Sequence, residues 1–386
     1  MHYIKTLKFA LLLYLLWSCG NSHTEEIENR IQFLKKEYAP DSRVAIWDIS
    51  WDGKTIKGET DQKEALLQLK LYLDSLDLTF HDDVLLLPEA ELGEKTRAIV
   101  TLSVANIRSA PKHSAELATQ ATLGTPLKVL KKVDSWYLVQ TPDKYISWVD
   151  AAGIQLMSAE ELSDWFSNQL LIYTAYQGFL FESPEAKDVV SDLVAGNIMV
   201  FSEHTGNMAK ITLPDGRTGW VKNDEVAPFE AWEKSRELTP ENLIATAKQM
   251  MGVPYLWGGT SIKGMDCSGF TKTVFFLNGQ VIPRDASQQV WEGETVDTAS
   301  DWNKLQVGDL LFFGEKGDDS KKERVVHVGM WIGNNSFIHA RGRVRISSFD
   351  PESPDYDAYE LQRYLRTQRI IGKNNKHVHE VRKLFP

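Results

Sequence analysis

The chain has 386 residues, enough for two to four domains, with the 42% hydrophobic and 25% charged fractions of an ordinary soluble globular protein. Its formal net charge of −10 argues against nucleic acid as a partner, because nothing offsets phosphate repulsion over most of the surface. Only two cysteines occur, Cys19 and Cys267.

Lys5 and Lys8 precede an apolar run from Phe9 to Trp17. This is the pattern of a secretory signal, too short to span a bilayer as a mature helix. Leu16-Trp17-Ser18-Cys19 resembles a bacterial lipobox, which implies that Cys19 is acylated and becomes the new N-terminus. A plain signal peptide cut nearby, with Cys19 as a spare thiol, is the alternative. If Cys19 carries lipid, Cys267 has no disulfide partner. An exported protein that keeps one unpaired thiol needs a reason, and a catalytic nucleophile supplies one.

Residues 20–94 join a polar tether to an α+β region. Ile31, Leu34 and Tyr38 predict a short helix, residues 44–49 alternate like a strand, and residues 65–76 have helical spacing. No chemistry is read from them. Within 95–155 five β-rich runs follow, at 99–104, 106–111, 126–130, 136–139 and 145–149, and they predict a small barrel. An N-x-R-x-x-P opening, a W-Y-x-V centre and a closing S/G-W-V resemble a bacterial SH3-like domain. A weaker copy fills 156–232, with Gln177-Gly178 to Pro184 as the opening, residues 208–211 as the centre and Gly219-Trp220-Val221 as the close. The two closing motifs, about seventy residues apart, predict an internal duplication with most aromatics in barrel cores.

The last domain, 233–386, opens at Thr239-Pro240, an N-cap followed by a residue suited to the first helical position. Leu243, Ile244, Ala247 and Met251 keep helical spacing until Gly252. A glycine-containing loop leads to Asp266-Cys267-Ser268-Gly269-Phe270, and residues 271–277 read as an apolar helix. Cys267 therefore sits at or near a helix N-terminus, where the dipole favours thiolate and would lower its pKa from about 8.5. A buried thiol serving as a small apolar residue is the bland alternative.

Residues 308–313, 325–332 and 337–340 read as three strands, the last two a hairpin about Gly333-Asn334-Asn335. Register decides whether His327 and His339 can cooperate. A two-residue loop at Asn334-Asn335 pairs His339 with Met330, on the face opposite His327. A three-residue loop pairs it with Gly329 and makes the histidines diagonal neighbours, roughly 7–8 Å apart by Cα. A catalytic role predicts the odd loop. His327 would then take or share the thiol proton, while His339 accepts from the other ring nitrogen and fixes the tautomer. A zinc site of Cys267, His327 and His339 is the rival, but it lacks a fourth soft ligand and any CxxC spacing.

The stretches GVPYLWGG, DCSGF, GDLLFF, HVGMWIG and FIHA, in that order, strongly resemble the NlpC family of papain-like murein peptidases. The resemblance implies an α+β papain-like domain with Cys267 as nucleophile, His327 as base, His339 as third polar residue, and no metal or organic cofactor. Tyr255 matches a family tyrosine whose hydroxyl points into the site. A lipobox and two SH3-like modules ahead of that domain resemble the γ-D-glutamyl-L-diamino acid endopeptidases, whose first module walls off one end of the cleft. That implies a murein peptide with a free N-terminal L-Ala as substrate, cut between γ-D-Glu and the diamino acid. Its ammonium would meet Asp266, Glu116 and Tyr145, with Ser268 assisting and Trp257 lining the cleft. A solvated loop charge for Glu116, barrel packing for Tyr145 and core packing for Trp257 stay open. Asp309 and Arg284 are read as serving turns and structure. The expectation is a monomeric, lipid-anchored enzyme of the bacterial envelope. Its rivals are an enzyme on intact murein with wall-binding adaptors, and a wall-binding protein with a retired catalytic domain.

Overall fold

The computed structural model describes residues 23–318 and 320–384, so the expected signal segment and Cys19 lie outside the described residues. The chain divides after Gly93 into two compact units. No helix among the described residues is long and apolar enough to cross a membrane.

In the first unit, residues 23–38 are helical and bury Ile27, Ile31 and Leu34. Trp47–Trp51 pairs antiparallel with Thr55–Thr60, which pairs in parallel with His81–Leu86 after the helix Lys63–Ser75. Strand alternation carries Trp47, Ile49 and Trp51 into one core with Leu66, Leu69 and Leu73 of that helix. The expected strand over 44–49 starts later, because the N–H groups of Val44 and Ala45 close a turn onto the Asp41 carbonyl.

The second unit holds two barrels and a larger domain. Seven strands, from Arg97–Val100 to Ile154–Met157, form one antiparallel sheet with the spatial order seventh, first, fourth, fifth, sixth, second, third. Seven more, from Leu170–Tyr173 to Val226–Pro228, take the same order. The duplication is thus expressed in topology, even where the opening and central motifs have decayed. Five expected strands become seven in the first barrel. Thr101–Ser103 ends the first strand at Val100 and starts the second at Val104, and the two added strands are Leu117–Thr122, which has too few large apolar residues to read as one, and Ile154–Met157.

In the last domain Thr239 Oγ1 accepts from the Asn242 N–H at 3.2 Å and caps the helix Pro240–Gln249. The central helix is Cys267–Leu277, capped by Asp266, which accepts from the Gly269 N–H at 2.7 Å. Phe270, Val274 and Phe275 pack it onto Leu310, Phe312, Val328 and Met330 of a six-stranded antiparallel sheet. Leu310–Glu315, Arg324–Gly333, Ser336–Arg341 and Arg343–Ser348 are consecutive in that sheet. Its other face carries Phe313, Trp331, Phe337 and Phe349. The class is α+β, as expected.

The hairpin differs from expectation in an instructive way. Asn334 and Asn335 make a two-residue turn, with φ of 52° and 55°, and Gly333 pairs with Ser336. Two asparagines in the left-handed region match the strand twist, so the turn itself is the shorter alternative. The odd residue sits in the strand instead. Register shifts between Trp331 and Gly333, leaving Ile332 as a bulge, after which Trp331 pairs with Phe337 and Met330 with Ile338. The ladder ends there, but Gly329 still lies beside His339, so that His327 and His339 come to share a face and their rings meet.

Candidate active site

Cys267 is the first residue of the central helix and is only 6% exposed. The backbone N–H groups of Val328 and Ser268 point at its sulfur. Val328 is available because the ladder between the two histidine strands ends at Met330–Ile338. Burial pushes the Cys267 thiol up to about 12, and the Asp266 carboxylate adds to this. The two N–H groups and Arg284 oppose the shift without overcoming it. The lowering expected from the helix N-terminus is therefore outweighed by desolvation, and the resting group is a thiol.

His327 and His339 meet, with His327 Nε2 2.7 Å from His339 Nδ1. Gly329 permits this approach: a Cβ there would stand 3.3 Å from the His339 Cβ and 2.9 Å from the Phe337 ring. Burial holds His327 down to about 4, against the Glu360 carboxylate and with the help of Arg363 and Arg341. His339 is lowered well below its usual value by burial and by its neighbour His327. Neither a thiolate nor an imidazolium is favoured alone here.

A stability consequence follows. Unfolded histidine titrates near 6.5, so as pH falls the unfolded chain takes a proton before folded His327 does. Stability present above pH 6.5 should be lost toward pH 4, by up to about 3 kcal/mol at 1.36 kcal/mol per pH unit. Urea titrations at pH 7 and 4.5 should show the drop, and His327→Gln should reduce it, with His339 keeping the remainder. An unchanged slope in the variant would assign the loss to other groups.

The metal rival fares poorly on geometry. Among the described residues the cluster of ligating atoms is His327, His339 and Glu360, not the cysteine. The facing histidine nitrogens are hydrogen-bonded to each other, and Glu360 is ion-paired with Arg341 and Arg363 at 3.2 and 2.7 Å.

A cleft of about 630 Å³ opens over Cys267. Tyr255, Trp257, Asp266 and Ser268 line it together with Glu116 and Tyr145 of the first barrel. Trp257 is 62% exposed, so it is a cleft wall and not core, and its Nε1–H donates to Glu116. The Tyr145 hydroxyl donates to Asp285 Oδ2 at 3.3 Å. The barrel is firmly seated on this domain. Gln120 Oε1 accepts from the Thr260 N–H and the Ser261 hydroxyl at 2.9 and 3.1 Å, and buried Asp143 pairs with Lys272 at 2.6 Å. Gly258, at φ +79°, lies so close to the Leu117 carbonyl that a Cβ would meet its oxygen at 2.1 Å.

Asp266 does not serve as expected. Oδ1 accepts from the Gly269 N–H, and Oδ2 from the Gly258 N–H at 3.0 Å and from Arg284 Nη2 at 2.6 Å. Ser268 Oγ is likewise taken up, donating to Asp266 and accepting from Arg284 at 3.0 Å. Both residues hold the Cys267 loop, and neither has spare capacity for a ligand ammonium. The cleft carboxylate that sequence reading missed is Asp285, beside the short helix Ala286–Gln289, where an Arg-Asp pair reads as a turn. Arg284 and Asp309 have the structural roles expected; Asp309 pairs with Arg369 at 2.8 Å.

Residues 252–366 match the NlpC/P60 family, and residues 103–155 match the bacterial SH3 domain. A γ-D-glutamyl-L-lysine dipeptidyl-peptidase of Bacillus cereus is 32% identical over 66% of this chain and 76% of its own length. The chain belongs to the NlpC/P60 family. It is a cysteine peptidase of papain-like fold preceded by SH3-like β-modules. A second relative, the γ-D-glutamyl-L-lysine dipeptidyl-peptidase of Bacillus subtilis, is 42% identical over 58% of this chain and 72% of its own. The crystal structure of an NlpC/P60 family protein from Bacillus cereus matches with a TM-score of 0.60 at 25% identity, over 71% of this chain and 99% of that one.

Proposed function

We propose that this protein hydrolyses the γ-D-Glu–diamino acid bond of murein peptides that carry a free N-terminal L-Ala. One observation carries the reading: Glu116 and Tyr145 of the first barrel and Asp285 of the peptidase domain line the same cleft as Cys267. Two carboxylates and a hydroxyl at a walled end suit an ammonium. A peptide blocked at its N-terminus would bring no cation of its own to those carboxylates and would lose that attraction. The names of the two Bacillus relatives support the choice of bond.

In this reading His327 takes the Cys267 proton as the sulfur adds to the γ-glutamyl carbonyl. The imidazolium then protonates the departing amine of the diamino acid. Water, deprotonated by His327, releases L-Ala-γ-D-Glu from the thioester. Tyr255, whose hydroxyl is kept protonated by burial and by the nearby sulfur, is a donor for the developing oxyanion, and Trp257 flanks the substrate. Cys19 would carry lipid and hold a monomeric enzyme at the bacterial envelope.

The test compares L-Ala-γ-D-Glu-diamino acid peptide with its N-acetylated form. Acetylation should lower kcat/KM on the order of 10²–10³-fold, and Asp285→Asn should erode that preference. Equal turnover of both peptides would remove the ammonium site and restore intact peptidoglycan as substrate.

A further inference from the structure

The hydrogen bonds behind the histidines extend beyond a three-residue site. His339 Nε2 lies 3.0 Å from Ser347 Oγ, and Ser347 Oγ lies 3.1 Å from Asp357 Oδ2. Register explains the first link, since Ser347 pairs with Phe337 and is thus a diagonal neighbour of His339 on the adjacent strand. Asp357 is itself pinned. Arg341 Nη1 donates to its oxygens at 3.2 and 3.1 Å, and the Glu360 N–H donates to Oδ1 at 3.1 Å. His339 and Ser347 are fully buried, and His327 and Asp357 are each 7% exposed.

The carboxylate sets the direction of the whole chain. A carboxylate paired with arginine only accepts, so Ser347 gives it the single hydroxyl hydrogen. The Ser347 oxygen must then accept from His339 Nε2–H. With its hydrogen on Nε2, His339 offers a lone pair at Nδ1, which accepts from His327 Nε2–H at 2.7 Å. We infer that Ser347 and Asp357 are positioning residues that act through His339 to hold His327 as the Nε2–H tautomer, leaving its Nδ1 free for the Cys267 proton. A neutral histidine as third member then does what a carboxylate does elsewhere, because a carboxylate stands two links behind it.

The charged groups around the rings are few. His327 faces Glu360, Asp357, Arg341 and Arg363, and His339 faces His327, Arg341 and Arg345. Glu360 Oε1, at 3.9 Å from His327 Nε2, is beyond hydrogen-bond range and does not compete for that hydrogen.

The inference rests on the Cys267–His327 pair proposed above, and its test separates the two. Imidazole ¹⁵N spectra of the full chain, recorded without substrate, report the tautomers independently of turnover. Both rings should carry hydrogen on Nε2. Ser347→Ala should lower kcat about tenfold at unchanged KM, with His339 turning to mixed tautomers, and Ser347→Thr should restore both readouts. A wild-type His339 protonated at Nδ1 overturns the relay even if the alanine variant fails to fold. So does a Ser347→Ala protein with both tautomers and kcat intact. Correct tautomers in an enzyme that survives loss of Cys267 would instead overturn the peptidase mechanism alone.

Discussion

Replacing Cys267 with alanine is expected to abolish peptide hydrolysis, by at least about 10⁴-fold in kcat, and to leave the fold intact. The substitution removes one nearly buried sulfur atom from the lining of the cleft. The Asp266 cap, the helix it starts and the apolar contacts of Phe270, Val274 and Phe275 are untouched. The N–H groups of Ser268 and Val328 lose a weak acceptor that water entering from the cleft can replace. Chromatography of the released diamino acid gives the rate, and calorimetry the melting temperature, expected within a few degrees of the parent. A residual rate within tenfold of wild type would displace Cys267 as nucleophile.

Arg284→Met should have the largest effect on stability, about 3–5 kcal/mol. Arg284 is 1% exposed and gives hydrogen bonds to both oxygens of Asp266, to Ser268 Oγ and to Thr119 Oγ1 of the first barrel. Methionine fills the volume but leaves the Asp266 carboxylate buried without its cation. Because Asp266 also caps the central helix, the loss reaches the Cys267 loop and the barrel contact together. Urea denaturation measures it, and Asp266→Asn in the same chain should return part of the stability by removing the orphaned charge. A loss below about 1 kcal/mol in the single variant would mean that the pair is solvated.

The sequence was most readable where chemistry and local backbone coincide. Asp266-Cys267-Ser268-Gly269 announces both a cap and a candidate nucleophile, and Thr239-Pro240 starts a helix at the residue expected. The second barrel was legible from one Gly-Trp-Val motif, because strand order survives where the other motifs do not. Three-dimensional assignments were harder. Asp266 beside Cys267 reads as a ligand for ammonium, yet burial beside Arg284 consumes its oxygens. Asp285 reaches the cleft through a tertiary approach that no local pattern encodes. Helix-end electrostatics argued for a low Cys267 pKa, while desolvation, invisible in a linear pattern, reverses the sign. Ser347 and Asp357 lie past the recognisable motifs and matter only through register.

The bulge at Ile332 constrains how this hairpin can change in length. Side chains on paired strands alternate in parity, so one residue added or removed between two positions exchanges inside for outside. Twelve positions separate His327 from His339, and a two-residue turn plus one unpaired residue supplies the parity that lets their rings touch. Deleting Ile332 would rotate His339 away, and inserting one residue at the turn would bring it back. Substitutions in the turn leave this count alone, which makes the length of the segment a stricter requirement than its composition.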